Sequence, residues 1–215
     1  MKLTIAGLKK WDKEVADDPK YGKEQQLIRQ VIERHPANTD LVDIAMKISV
    51  IDLTNSTQLS NYKSKISLYD IANIILSIKD IDKRIARGDV ELVSDIARIC
   101  KEHGVNLLSF ASKYCFYHNV FAYGRCDYSI FDSVVSENLY TVATQKHPLT
   151  KTEPEKWRKE IDYARFHKYI GDILDEHSID SSIKMRRQML DHFIWIANKN
   201  KTIQNKIKTN NYVKS

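Results

Sequence analysis

The sequence predicts an all-α protein, a globular array of about eight helices. Three observations carry that expectation. Glycine and proline are scarce, at 6 and 4 of 215 residues, so few positions interrupt a helix. Apolar residues recur every three or four positions through long segments, and no segment alternates as a half-buried strand does. The periodic segments also start and stop on residues that cap or end helices. No heptad pattern persists as in a coiled coil, and no internal repeat or low-complexity block is present.

Each element follows from its own residues. Gln25 to Arg34 (QQLIRQVIER) puts Leu27, Ile28 and Val31 on one face, and His35-Pro36 ends the helix because proline disfavours helical geometry in the residue before it. Asn38-Thr39-Asp40 offers caps for a helix in which Leu41, Ile44, Ala45 and Ile48 recur toward Leu53. Ser67 caps a helix to Lys79 with Leu68, Ile71, Ile74, Ile75 and Ile78 inward. After Gly88-Asp89, Val90 to His103 carries Leu92, Val93, Ile96 and Ile99, and Gly104 breaks it. Asn106 to His118 and Ser129 to Thr144 read as two further helices around a loop containing Gly124. A linker, His147 to Pro154, leads to a long amphipathic stretch from Glu155 to Glu176, and a last helix runs from about Ser181 to Asn198. Residues 1–198 are read as one helical domain and 199–215 as a basic, flexible tail.

Composition sets limits on function. Apolar residues at 42% and charged residues at 29% are an ordinary globular balance. No apolar stretch approaches the ~20 residues of a membrane helix, and Met1 to Lys10 lacks the apolar run of a secretory signal. A cytoplasmic location without a membrane partner is the expectation. Three cysteines, Cys100, Cys115 and Cys126, lack the spacing of a disulfide framework or a zinc module and read as reduced thiols. No metal or cofactor is expected. A formal net charge of +6 suits an anionic partner, because lysines and arginines that neutralise phosphates release counterions.

The chemistry, if any, lies in Ser109 to Val135, SFASKYCFYHNVFAYGRCDYSIFDSVV. Aromatic residues crowd one lysine, one histidine, one asparagine and two aspartates. A core seam between two helices accounts for Phe110, Cys115, Phe131 and Val134. Lys113 stands inside an apolar helix, where it either snorkels to the surface or is held near the core as a potential nucleophile. Asp132 follows nineteen residues later (132 − 113 = 19), near the start of the next helix, where it either caps that helix or shares a cleft with Lys113.

This pair resembles the catalytic lysine and aspartate of the helix-hairpin-helix base-excision DNA glycosylases. The pattern Ser-Lys-Tyr-Cys … Tyr-Ser-Ile-Phe-Asp-Ser-Val-Val is similar to smaller proteins with an 8-oxoguanine DNA glycosylase fold. Asp52-Leu53-Thr54-Asn55-Ser56-Thr57 and Asp191-His192-Phe193-Ile194-Trp195 also resemble that group. The resemblance implies that Lys113 attacks the sugar C1′ and forms a Schiff base, while Asp132 activates it and stabilises positive charge on the sugar. It implies DNA, duplex or single-stranded, as partner, with a flipped nucleotide stacked on Tyr117 or Tyr128. Ser112, His118 and Asn119 are the further base- or phosphate-contacting residues expected. One element departs from the family. Where the glycosylases carry a glycine-rich hairpin, Ser109-Phe110-Ala111-Ser112 stands here, and the nearest glycine, Gly104, is nine residues before Lys113 (113 − 104 = 9). There is also no four-cysteine iron–sulfur pattern.

Two rival functions fit other features. Arg98 to His103 has the Arg-x4-His spacing that resembles the ribonuclease motif of HEPN-type helical toxins. A catalytically inactive nucleic-acid-binding or adaptor protein on a glycosylase-like fold is the other.

Overall fold

The computed structural model describes residues 3–55 and 57–196, and every regular element among them is helical. The helices are α1 (Ile5–Ala16), α2 (Tyr21–Arg34), α3 (Leu41–Asn55), α4 (Leu68–Ser77), α5 (Ile81–Ala86), α6 (Glu91–Glu102), α7 (Leu108–Tyr123), α8 (Ser133–Asn138), α9 (Glu153–Glu160) and α10 (Tyr163–Glu176). An eleventh, α11, occupies 186–196. Single 3-10 turns lie at Leu59–Tyr62 and Leu139–Val142. The helical class matches the sequence reading, with more elements than expected. The proposed tail, 199–215, lies outside the described residues.

The extra helices have physical causes. α5 is only six residues long, too short to display a period. α1 buries only Leu8 and Val15, so its apolar stripe is thin. The amphipathic stretch from Glu155 to Glu176 is two helices. Ile161 breaks it with φ 59°, and Asp162 caps α10 by accepting from the Arg165 amide.

The largest difference is at Ser129 to Phe131, expected to be helical and found outside any helix. Side chains satisfy its backbone instead. The Ser129 amide donates to the Tyr163 hydroxyl (2.8 Å), which in turn donates to the Ser129 carbonyl (2.7 Å). The Phe131 amide donates to Ser112 Oγ (3.0 Å), and the Phe131 ring stacks on Phe166 at 3.9 Å between centroids. Buried peptide groups paired in this way have no need of a helical partner.

α7 is the central element. From Phe110 to Val120 every residue is buried, and α2, α3, α5 and α6 pack around it. A helix apolar on all sides belongs in a core. Its register is held by polar groups. Lys47, fully buried, donates to the carbonyls of His35 (3.0 Å) and Ala37 (2.6 Å) and to Asn38 Oδ1 (2.9 Å). The Tyr114 hydroxyl donates to the same Asn38 oxygen (2.5 Å), tying α7 to the α2–α3 connection. Burial lowers the Lys47 ammonium to about 8.

Gly88, between α5 and α6, has φ +72°, and a Cβ there would lie 2.5 Å from Cβ of Asp127. Gly88→Ala combines a left-handed backbone with that overlap. It is expected to cost about 2 kcal/mol of stability, read by urea denaturation.

Candidate active site

Lys113 and Asp132 meet. The Lys113 ammonium lies 3.0 Å from Oδ2 of Asp132, with side chains 8% and 20% exposed. Both line a cavity of about 720 Å³. The lysine also donates to the Asn55 carbonyl at the C-terminal end of α3 (3.2 Å). Asp132 keeps its capping role as well: Oδ1 accepts from the Val135 amide (3.0 Å), leaving Oδ2 for the lysine. The two readings of this aspartate are thus compatible.

Ser112 and Phe131 explain why the pair is in register. Ser112 Oγ accepts from the Phe131 amide and donates to the Ser109 carbonyl (2.9 Å). That bond joins the residues immediately before Lys113 and Asp132, so it aligns the two functional groups. Ser112 is fully buried and does not line the cavity. Its expected contact with nucleic acid is corrected to a positioning role.

The other expected contact residues are also turned inward. The Tyr117 hydroxyl accepts from Gln25 (2.9 Å) and donates to Asn55 Oδ1 (2.6 Å). His118 Nε2 bonds the Pro36 carbonyl (2.6 Å), and burial lowers the imidazole to about 4. Asn119 clamps the loop after α7, donating to the Ile85 carbonyl (2.8 Å) and Asp127 Oδ2 (3.1 Å) and accepting from the Asp127 amide (3.0 Å). The Tyr128 hydroxyl donates to the carbonyls of Arg84 (3.2 Å) and Asp89 (3.1 Å). None of the four lines the cavity. Their polar atoms hold the core together instead.

Residues remote in sequence complete the site. Tyr21 of α2 stacks on Trp195 of α11, with centroids 5.6 Å apart, and both line the cavity. A chain of hydrogen bonds runs behind them. Asp12 Oδ1 accepts from His192 Nδ1 (2.7 Å), and His192 Nε2 faces the Tyr21 hydroxyl (3.4 Å). Gln25 then donates to Tyr21 (2.8 Å) and to Tyr117, which reaches Asn55, the residue whose carbonyl holds Lys113. Asp191 lines the cavity too. Burial and the facing Asp132 carboxylate push its carboxyl up to about 7. The sequence pointed at Asp191 and Trp195 only through resemblance and assigned them no role. Tyr21 carried no signal at all.

The cavity is not basic. Four carboxylates (Asp18, Glu24, Asp132, Asp191) face three cations (Lys20, Lys113, Arg158), so the positive surplus of the chain lies elsewhere. Arg98 on α6 and His103, which caps its end, are exposed and line no described cavity, with Arg98 near Glu91 (3.8 Å) and Asp95 (3.7 Å). Among the described residues no group of three or more His, Cys, Asp or Glu side chains is arranged to hold a metal, and no helix is long and apolar enough to cross a membrane.

Comparison with known proteins adds a family. A family model described as HI_0787_N, N-terminal domain, matches residues 4–122, which run from the start of α1 almost to the end of α7 and include Lys113. A Haemophilus influenzae protein described as uncharacterized is 36% identical over 110 residues, 47% of this chain. The chain spans about half the length of that relative, the match covering 51% of it. No solved structure matches.

Proposed function

We propose that this chain, which belongs to the HI_0787_N family, is a DNA base-excision enzyme of the N-glycosylase and AP-lyase type. The observation that carries the reading is the Lys113–Asp132 pair, 3.0 Å apart at the wall of a cavity. Its volume of about 720 Å³ lies within the ordinary range of small-ligand pockets and admits a flipped nucleotide. The aromatic pair Tyr21–Trp195 supplies the stacking surface that the sequence reading assigned to Tyr117 and Tyr128.

The chemistry requires an unprotonated amine. Lys113 passes its proton to a carboxylate, and Asp132 and Asp191 both face the same space. The nitrogen lone pair then forms a bond to C1′ as the C1′–base bond breaks, and the base leaves with that electron pair and picks up a proton. Asp132 balances the positive charge that grows on the sugar. The C1′–O4′ bond then breaks, O4′ gaining a proton as the nitrogen loses one, to give the Schiff base between Nζ and C1′; loss of a C2′ proton to a carboxylate forms the C2′–C3′ double bond as the 3′ phosphate leaves. The test is borohydride trapping of a protein–DNA adduct on duplexes carrying modified bases or an abasic site, compared with Lys113→Gln.

Asp191 gives the reading a pH signature. Its ionised form is the proton acceptor, so excision is expected to rise with pH through about 7, and Asp191→Asn to flatten that limb. Stability runs the other way. A carboxyl whose folded pKa lies above its unfolded value stabilises the fold most below the unfolded value, and that contribution is lost as pH rises through about 7. At pH 8 the melting temperature of Asp191→Asn is therefore expected to exceed that of the wild type by a few degrees. An unchanged pH–rate profile in Asp191→Asn would remove this residue from the mechanism.

A further inference from the structure

The second cavity, at the other end of α7, accounts for part of the charge that the first one lacks. It has a volume of about 440 Å³ and shares no lining residue with the Lys113 cavity. Eleven residues separate Lys113 from Gly124 (124 − 113 = 11), roughly 16 Å along a helix axis. Five cations line it, Arg87, Arg125, Lys184, Arg186 and Arg187, against one carboxylate, Asp127.

Three of the five cations are compensated. Arg87 pairs with Asp89 (2.7 Å), Arg125 with Asp127 (2.5 Å) and Arg186 with Asp175. Arg187 and Lys184 have no carboxylate partner among the described residues. Lys184 is exposed, whereas Arg187 is half-buried. Its Nη1 donates to Ser129 Oγ (3.0 Å) and to the His167 carbonyl (3.2 Å), which fixes the plane of the guanidinium. Burial lowers the pKa of this arginine, the sign of a charge held away from water. A desolvated guanidinium whose neighbouring carboxylate, Asp127, is already paired with Arg125 is costly, and an anion in the adjoining cavity removes that cost.

We propose that this second cavity is an anion site that takes phosphate groups. Arg187 lines the cavity and keeps guanidinium N–H groups beyond those on Nη1 to donate to a phosphate, and Lys184 adds a point charge at the same wall. Two uncompensated positive charges match one phosphate dianion better than one carboxylate. A volume of about 440 Å³ has room for a phosphorylated small molecule or for a phosphate of a nucleic-acid strand. The site does not depend on the chemistry assigned to Lys113.

Titration calorimetry with inorganic pyrophosphate, and fluorescence anisotropy with a short labelled DNA duplex, test the assignment and separate the two sources. Wild-type protein is expected to bind pyrophosphate, with Lys184→Glu weakening it about tenfold. If pyrophosphate does not bind but the duplex does, and Lys184→Glu both weakens duplex binding and flattens its salt dependence, the phosphates belong to nucleic acid. Failure to bind either ligand, or equal affinities in wild type and Lys184→Glu, overturns the site. Arg187→Gln is expected to lose binding as fully as Lys184→Glu. Because it also disturbs two buried bonds, its melting curve accompanies it, and the exposed Lys184 keeps the test decisive if it unfolds.

Discussion

Lys113→Gln is expected to abolish the borohydride-trapped adduct and to lower excision at least about a thousandfold, because the substitution deletes the amine assigned to the Schiff base. Glutamine keeps part of the stem, which lies in the core, and is one bond shorter, so the 3.2 Å contact with the Asn55 carbonyl is weakened as well. What it removes is the charge beside Asp132. The carboxylate retains the Val135 amide and is partly exposed, so the expected loss of stability is about 1–3 kcal/mol, short of unfolding. Melting curves check that part separately from the adduct. An adduct of undiminished yield in Lys113→Gln would move the nucleophile to another residue. No adduct and no excision on any substrate in the wild type would end the base-excision reading while leaving the fold and the second cavity untouched.

The sequence was most legible where one physical signal decided the outcome. Helical periodicity located α2, α3, α4 and α6, although α2 starts four residues before Gln25 and leaves Leu27 exposed, and the Ser67 cap of α4 forms, with Asp70 completing a capping box. The aromatic cluster was ambiguous because α7 is buried on every side. Density of aromatics reads equally as a core seam and as a stacking platform, and only packing tells which. Tyr117, His118, Asn119 and Tyr128 proved to be seam. Ser129 to Phe131 misled for a related reason, since its non-helical backbone is satisfied by Tyr163 and Ser112, partners that a local pattern does not reveal. The wall of the site contributed by α2 was invisible for the same cause, and that of α11 showed only through resemblance. Asp12 and His192 lie 180 residues apart and meet at 2.7 Å, a contact no spacing rule anticipates.

Asp132 permits a sharper experiment than its partner because its two oxygens do separate work. Oδ1 caps α8 and Oδ2 faces Lys113. Asparagine is as good an N-cap as aspartate, so Asp132→Asn should leave α8 capped while removing the negative charge beside the amine and the growing sugar cation. Excision is expected to fall about a hundred- to a thousandfold, and the buried Lys113 ammonium, left without its counter-charge, costs about 1–3 kcal/mol of stability, as the broken pair does in Lys113→Gln. Asp132→Ala should lose the same activity and, in addition, about 1 kcal/mol of stability from the missing cap. The difference between the two variants therefore isolates the structural duty from the chemical one. If Asp132→Asn kept full activity while only Asp132→Ala failed, the aspartate would be a cap and nothing more. The charge growing on the sugar would then need another carboxylate to balance it, and Asp191, already the acceptor of the Lys113 proton, is the one facing the same cavity.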